Sequence, residues 1–174
     1  RSAHHARWKV VPDKMKMERD IRGAAAVGQL TEVMPWEAEL ILNMRLWQDG
    51  VAGQTQVWNA YARTFGAEDA RRKLKSFERL LWVIDANMLR PMVRHVVTCP
   101  CIGSDEAVFT NMVRLASDGD LHEASLIATL LVRPAQAEQV ALLAGEVGTA
   151  TRDLARGHKT SRTARVTPRP MRMH

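Results

Sequence analysis

Between Ala67 and Pro91 the apolar residues Ala70, Leu74, Phe77, Leu81, Ile84 and Met88 recur at alternating steps of four and three. That spacing follows the 3.6-residue turn of an α-helix and rules out a strand, whose faces alternate every second residue. The stripe is narrow and continuous, which suits burial against another helix. Pro91 stops the helix, because the residue before a proline is pushed out of helical geometry.

The same signals recur elsewhere. "MPWEAELILNMRLWQDG" places Pro35 in a first turn, Glu37 and Glu39 at the positive helix end, and Gly50 at the C-terminal cap. Trp36, Leu40, Met44 and Trp47 share one face, with Leu42 and Leu46 making a second apolar side, so this helix is expected to be buried on most sides. Val57, Trp58, Tyr61 and Phe65 form the face of a shorter helix that stops at Gly66. Ser104 caps a helix with Asp105 and Glu106 in its first turn. "SDGD" then turns the chain, and Asp120 with Glu123 forms an Asp-based capping box for "LHEASLIATLLV". Those two helices form a C-terminal hairpin. Pro134 begins a last helix, which Gly157 closes. Upstream, "DKMKMERDIRGAAAVGQL" reads as a helix to about Val27. The only strand-like piece is "WKVVP". The expected fold is therefore all-α: a compact bundle of six or seven helices over 13–156, with a basic arm at 1–12 and a disordered basic tail at 157–174.

The charge is unevenly placed. Residues 1–17 hold five cations and one acid, and six cations with no acid follow Asp153, which leaves a body of net charge −4 within a chain of +6. Arg156, Lys159, Arg162, Arg165, Arg169 and Arg172 are accordingly the candidate phosphate contacts, for weak, salt-sensitive and sequence-independent nucleic-acid binding. Arg71, Arg72, Lys75 and Arg79 form a second basic strip, which reads as solvated helix surface with Arg72 paired to Glu68. "MRLWQDGVAGQTQVWNAYARTFG" has a faint helix-turn-helix layout, with Gln54, Gln56, Asn59 and Arg63 turned outward.

The densest chemistry is in "HVVTCPCIGSDE", which holds both cysteines of the chain. His95, Cys99 and Cys101 are candidate zinc ligands, since zinc takes thiolate and imidazole donors in a tetrahedron. His122 is the expected fourth ligand, with Asp105 in reserve. One residue between the cysteines is shorter than the usual spacing of a structural zinc site. The competing readings are an ordinary turn with a buried loop cysteine and a surface histidine, a Cys99–Cys101 disulfide, and a reactive thiol. Phosphate-binding glycine loops, His-Glu-x-x-His and nucleophile elbows are absent from the sequence.

No run is long and apolar enough for a membrane helix. The first residues lack the apolar core of a secretory signal, and the start at Arg1 reads as a trimmed or added end. Two cysteines do not make a disulfide framework, so cytoplasm is the expected compartment. Trp8 and Trp82 lie off the main stripes and suggest either a second core layer or an interface, with a protein partner or a homo-oligomer in view. The expected function is that of a non-enzymatic regulatory or adaptor protein, with zinc as its candidate cofactor. The alternatives are a thiol-based enzyme or redox protein using Cys99 and Cys101, and a helix-turn-helix DNA-binding regulator.

Overall fold

The computed structural model describes residues 8–11 and 23–166, with side chains through His158. Among the described residues the fold is mainly α. Its elements in chain order are β1 (Lys9–Val11), β2 (Ala26–Gln29), α1 (Pro35–Gln48), α2 (Val51–Phe65), α3 (Ala67–Asn87), β3 (Val93–His95), β4 (Cys101–Gly103), α4 (Ser104–Ser117), α5 (Leu121–Ala128) and α6 (Pro134–Val166). Most helix starts follow the sequence signals, but Ser104 is the first residue of α4 and does not cap it; Gly103 holds the cap position in extended geometry. Glu37 reaches back to accept the Met34 N–H at 2.9 Å, and Asp120 accepts the Glu123 N–H.

The apolar stripe of α3 is buried as its spacing requires, from Ala70 to Ile84, and Leu80 and Val83 are buried beside it. The added width has a cause: α3 packs against both α2 and α6. Met88 leaves the helix in extended geometry and bridges to Val132. α6 runs along the middle of the core, contacting α1, α2, α3, α4 and α5, with Val140, Ala144, Val147 and Leu154 buried.

Three expectations need correction. Residues 26–29 are a strand and not the end of a helix. Their backbone pairs antiparallel with β4 in the register Ala26↔Gly103, Gly28↔Ile102 and Gln29↔Cys101, so a tertiary ladder outweighs the helix propensity of the alanine run. Residues 13–22 of that expected helix lie outside the described residues. Gly157 does not close α6, which continues to Val166, so residues 157–166 of the expected disordered tail are helical and the rest of that tail lies outside the described residues. Gly157 lies where the helix passes α2: a Cβ there would come within 2.6 Å of Thr64 Cγ2. Close approach, not helix termination, explains this glycine. Finally, Arg72 pairs with Asp69 at 2.6 Å, on the exposed face of α3, and the Glu68 pairing is not formed.

Candidate metal and thiol centre

The two short sheets meet at the cysteine segment. β1 pairs with β3 in parallel, with Lys9, Val10 and Val11 opposite Val93, Arg94 and His95, while β2 flanks β4. The loop between β3 and β4 is tightened by the Cys99 N–H donating to Val96 O at 3.0 Å. Leu30 N–H donates to Pro100 O, which ties the cysteine turn to β2.

Beneath the loop lies a group that the sequence reading missed. Arg45, from the last turn of α1, is fully buried and uses all five of its N–H donors. Nε and Nη2 grip Glu106 at 2.8 and 2.7 Å, Nη1 donates to Val96 O and Cys99 O, and Nη2 also donates to Cys101 O at 2.6 Å. Glu106 in turn accepts the backbone N–H of His95 at 3.1 Å and of Gly103 at 2.9 Å. One ion pair thus fixes the backbone on both sides of the cysteines. Asp105 plays a parallel part, accepting Arg90 at 2.6 and 2.8 Å and Val93 N–H at 2.8 Å. These hydrogen bonds to the carboxylate push the Arg90 guanidinium pKa further up. Asp105 and Glu106 therefore do more than complement a helix dipole. The available signal was a charged residue, Arg45, inside a helix that otherwise reads as buried on most sides.

On this frame His95, Cys99 and Cys101 converge, their donor atoms all within 4.8 Å of one another. His95 Nδ1 lies 3.2 Å from Cys101 Sγ and 3.6 Å from Cys99 Sγ. Nε2 lies 3.0 Å from Ala24 O. A carbonyl only accepts, so the ring proton is assigned to Nε2 and Nδ1 turns its lone pair to the sulfurs. A histidine ligand held by a backbone carbonyl through its other nitrogen is the usual support of a metal site. Gly103 is required here, because a Cβ at that position would lie 2.9 Å from the imidazole Cδ2 and Nε2.

The two sulfurs are bonded to each other, with Cα atoms 5.5 Å apart. In this oxidised form neither sulfur is free to act as a thiolate ligand. The three residues could hold a metal only once the bond is reduced. Cys99 and His95 are buried and Cys101 is half-buried.

His122 is not part of the group. It is exposed near the start of α5, whereas the cysteine segment abuts the N-terminus of α4. The 14 residues of α4 separate the two ends by roughly 20 Å at 1.5 Å per residue. Asp105, the reserve ligand, is committed to Arg90 and the Val93 N–H. The other candidates are dispersed. Arg156 pairs with Asp153 at 2.9 Å. Lys159, Arg162 and Arg165 fall on α6, in a stretch whose side chains are not described, and Arg169 and Arg172 lie outside the described residues. Gln56, Asn59 and Arg63 are exposed on α2, but Gln54 is half-buried and donates back to Trp47 O.

No helix among the described residues is long and apolar enough to cross a membrane. Comparison with known proteins finds no matching family model, no matching curated protein and no matching solved structure.

Proposed function

We propose that this chain is a non-enzymatic regulatory protein whose switch is the Cys99–Cys101 couple. In the oxidised form the sulfurs are bonded; in the reduced form, with His95, they take one zinc ion. The reading rests on one observation: His95 Nδ1 faces both sulfurs while Nε2 is spent on Ala24 O. A dithiol reductant supplies two electrons and two protons, breaks the S–S bond and leaves two thiols, itself becoming a disulfide. Zinc then displaces both thiol protons. Three protein ligands leave one coordination position to water or to a donor from a partner protein, which is how the metal would report to an adaptor's target. A reducing compartment such as the cytoplasm would favour the metal-bound form.

The test is zinc stoichiometry by native mass spectrometry, on untagged protein with and without prior dithiothreitol reduction. One zinc per reduced chain and none per oxidised chain is expected, with zinc binding weakened at least about tenfold in Cys101→Ser. A reduced chain that takes up no zinc overturns the proposal. Catalytic reduction of insulin disulfides by the same preparation would replace it with the thiol-enzyme reading.

Nucleic-acid binding is proposed only as a weak property of the basic C-terminal stretch. Duplex DNA affinity should fall steeply with salt and mostly vanish on deleting residues 158–174, as measured by fluorescence anisotropy. Tight binding of one duplex sequence by the truncated chain would favour the helix-turn-helix reading instead.

A further inference from the structure

The parallel pair β1–β3 has two faces, and the cysteine centre uses only one. The register sets Val10 opposite Arg94, so these two side chains share a face, and Trp8 joins them two residues earlier. His95 and Val93 point the other way. Trp8, Val10 and Arg94 line a cleft of about 830 Å³, closed by the C-terminal end of α1 and by Glu78, Leu81 and Trp82 of α3.

This cleft contains unmet donors. Arg94 is 3 % exposed, yet among the described residues its Nε and Nη1 have no hydrogen-bond partner. Its contacts are Nη2 donating to Gln48 O at 3.2 Å and an ion pair with Asp49 at 3.5 Å. Trp8 Nε1, on a residue 6 % exposed, is also buried without a partner among the described residues. More than nine in ten buried polar groups in folded proteins are satisfied, so three orphan N–H donors on two residues of one cleft point to an absent acceptor.

The remaining lining selects among acceptors. Among the described residues, Asp49, Glu78 and Asp85 also line the cleft, three acids against the one cation Arg94. A phosphate or other dianion would meet them unfavourably. Trp47, Leu81 and Trp82 offer an apolar wall, and Trp82 is 59 % exposed, unusual for so large an aromatic.

We propose that the cleft binds a small zwitterion with a bulky apolar body, the chemical class of an aromatic α-amino acid. Its carboxylate takes the Arg94 and Trp8 donors, its ammonium faces Glu78, and its ring lies against Trp47 and Trp82. The site stands apart from the cysteine centre, so its test uses the oxidised full chain.

Isothermal titration with L-phenylalanine, and with 3-phenylpropanoate and phenethylamine as analogues lacking one charge each, separates the contributions. Saturable 1:1 binding is expected for phenylalanine, with each analogue weaker by about tenfold or more, the loss of one charge-assisted contact. Arg94→Met should weaken phenylalanine by a similar factor. Trp82→Ala, on an exposed face where folding is not at stake, should weaken it by about fivefold. No saturable binding up to about 10 mM, a range chosen to cover the weakest specific small-ligand sites, overturns the proposal. Phenylpropanoate or phenethylamine binding as tightly as phenylalanine does so too, since either removes the zwitterion. Unchanged affinity in Trp82→Ala places any binding elsewhere and sinks the site.

Discussion

Glu106→Gln is expected to lower the folding stability of the oxidised protein by roughly 3–5 kcal/mol, the cost of leaving one partner of a buried ion pair uncompensated. Both side chains of the Arg45–Glu106 pair are 0 % exposed, and the contact between them is bidentate. The substitution replaces an acceptor of four hydrogen bonds with an amide that is half donor, so Arg45 loses its countercharge and a backbone N–H of His95 or Gly103 meets a donor. Arg45→Met should cost a comparable amount, because it orphans the Val96, Cys99 and Cys101 carbonyls as well as the carboxylate. The double variant Arg45→Met with Glu106→Leu should recover part of the loss. Asp69→Asn at the exposed pair with Arg72 serves as the reference and should change stability by less than about 1 kcal/mol. Urea denaturation of the four variants, with the disulfide intact in each, decides it. A Glu106→Gln loss no larger than that of Asp69→Asn would show that the pair does not organise the loop.

In the reduced protein, zinc affinity should rise about a hundredfold per pH unit below the ordinary thiol range near ~8.5. The sign follows from the ligands. Zinc binds thiolates, protons compete for both sulfurs, and each displaced proton contributes a factor of about ten per unit. At free zinc a thousandfold above the dissociation constant, the reduced fold would gain about 4 kcal/mol, and the oxidised fold would gain nothing. Competition with a chromophoric zinc chelator at pH 6.5 and 7.5 measures the slope. Cys101→Ser should reduce it to about tenfold per unit, one proton fewer. A wild-type slope of tenfold would mean that only one cysteine ligates, and the three-residue site would be wrong.

The helices were legible because their signals are local. The stripe from Ala70 to Ile84, Pro35 at a first turn and Asp120 as a side-chain cap each act within one or two turns of backbone. The cysteine centre was half legible. His95, Cys99 and Cys101 stand within seven residues, so the turn that gathers them is itself a local event, and the residues were nameable. His122 was not separable from them by sequence distance alone. The rigid length of α4 removes it, and that length becomes an obstacle only once the segment is known to sit at the opposite end of the helix.

What the chain's sequence determined by itself is the mainly helical class, the position of most helix starts, and the three donor residues of the candidate centre. Periodicity, capping and proline geometry are short-range effects, and they depend little on what the rest of the chain does. Tertiary structure alone decided the strand at Ala26–Gln29, the passage of α6 through Gly157, the Arg45–Glu106 pair 61 residues apart, and the shared face of Trp8 and Arg94. Each of these depends on partners brought together from distant positions. A buried charge is stable only where its counter-ion arrives, and a short strand only where another edge meets it. Those meetings are properties of the folded packing, and no local pattern encodes them.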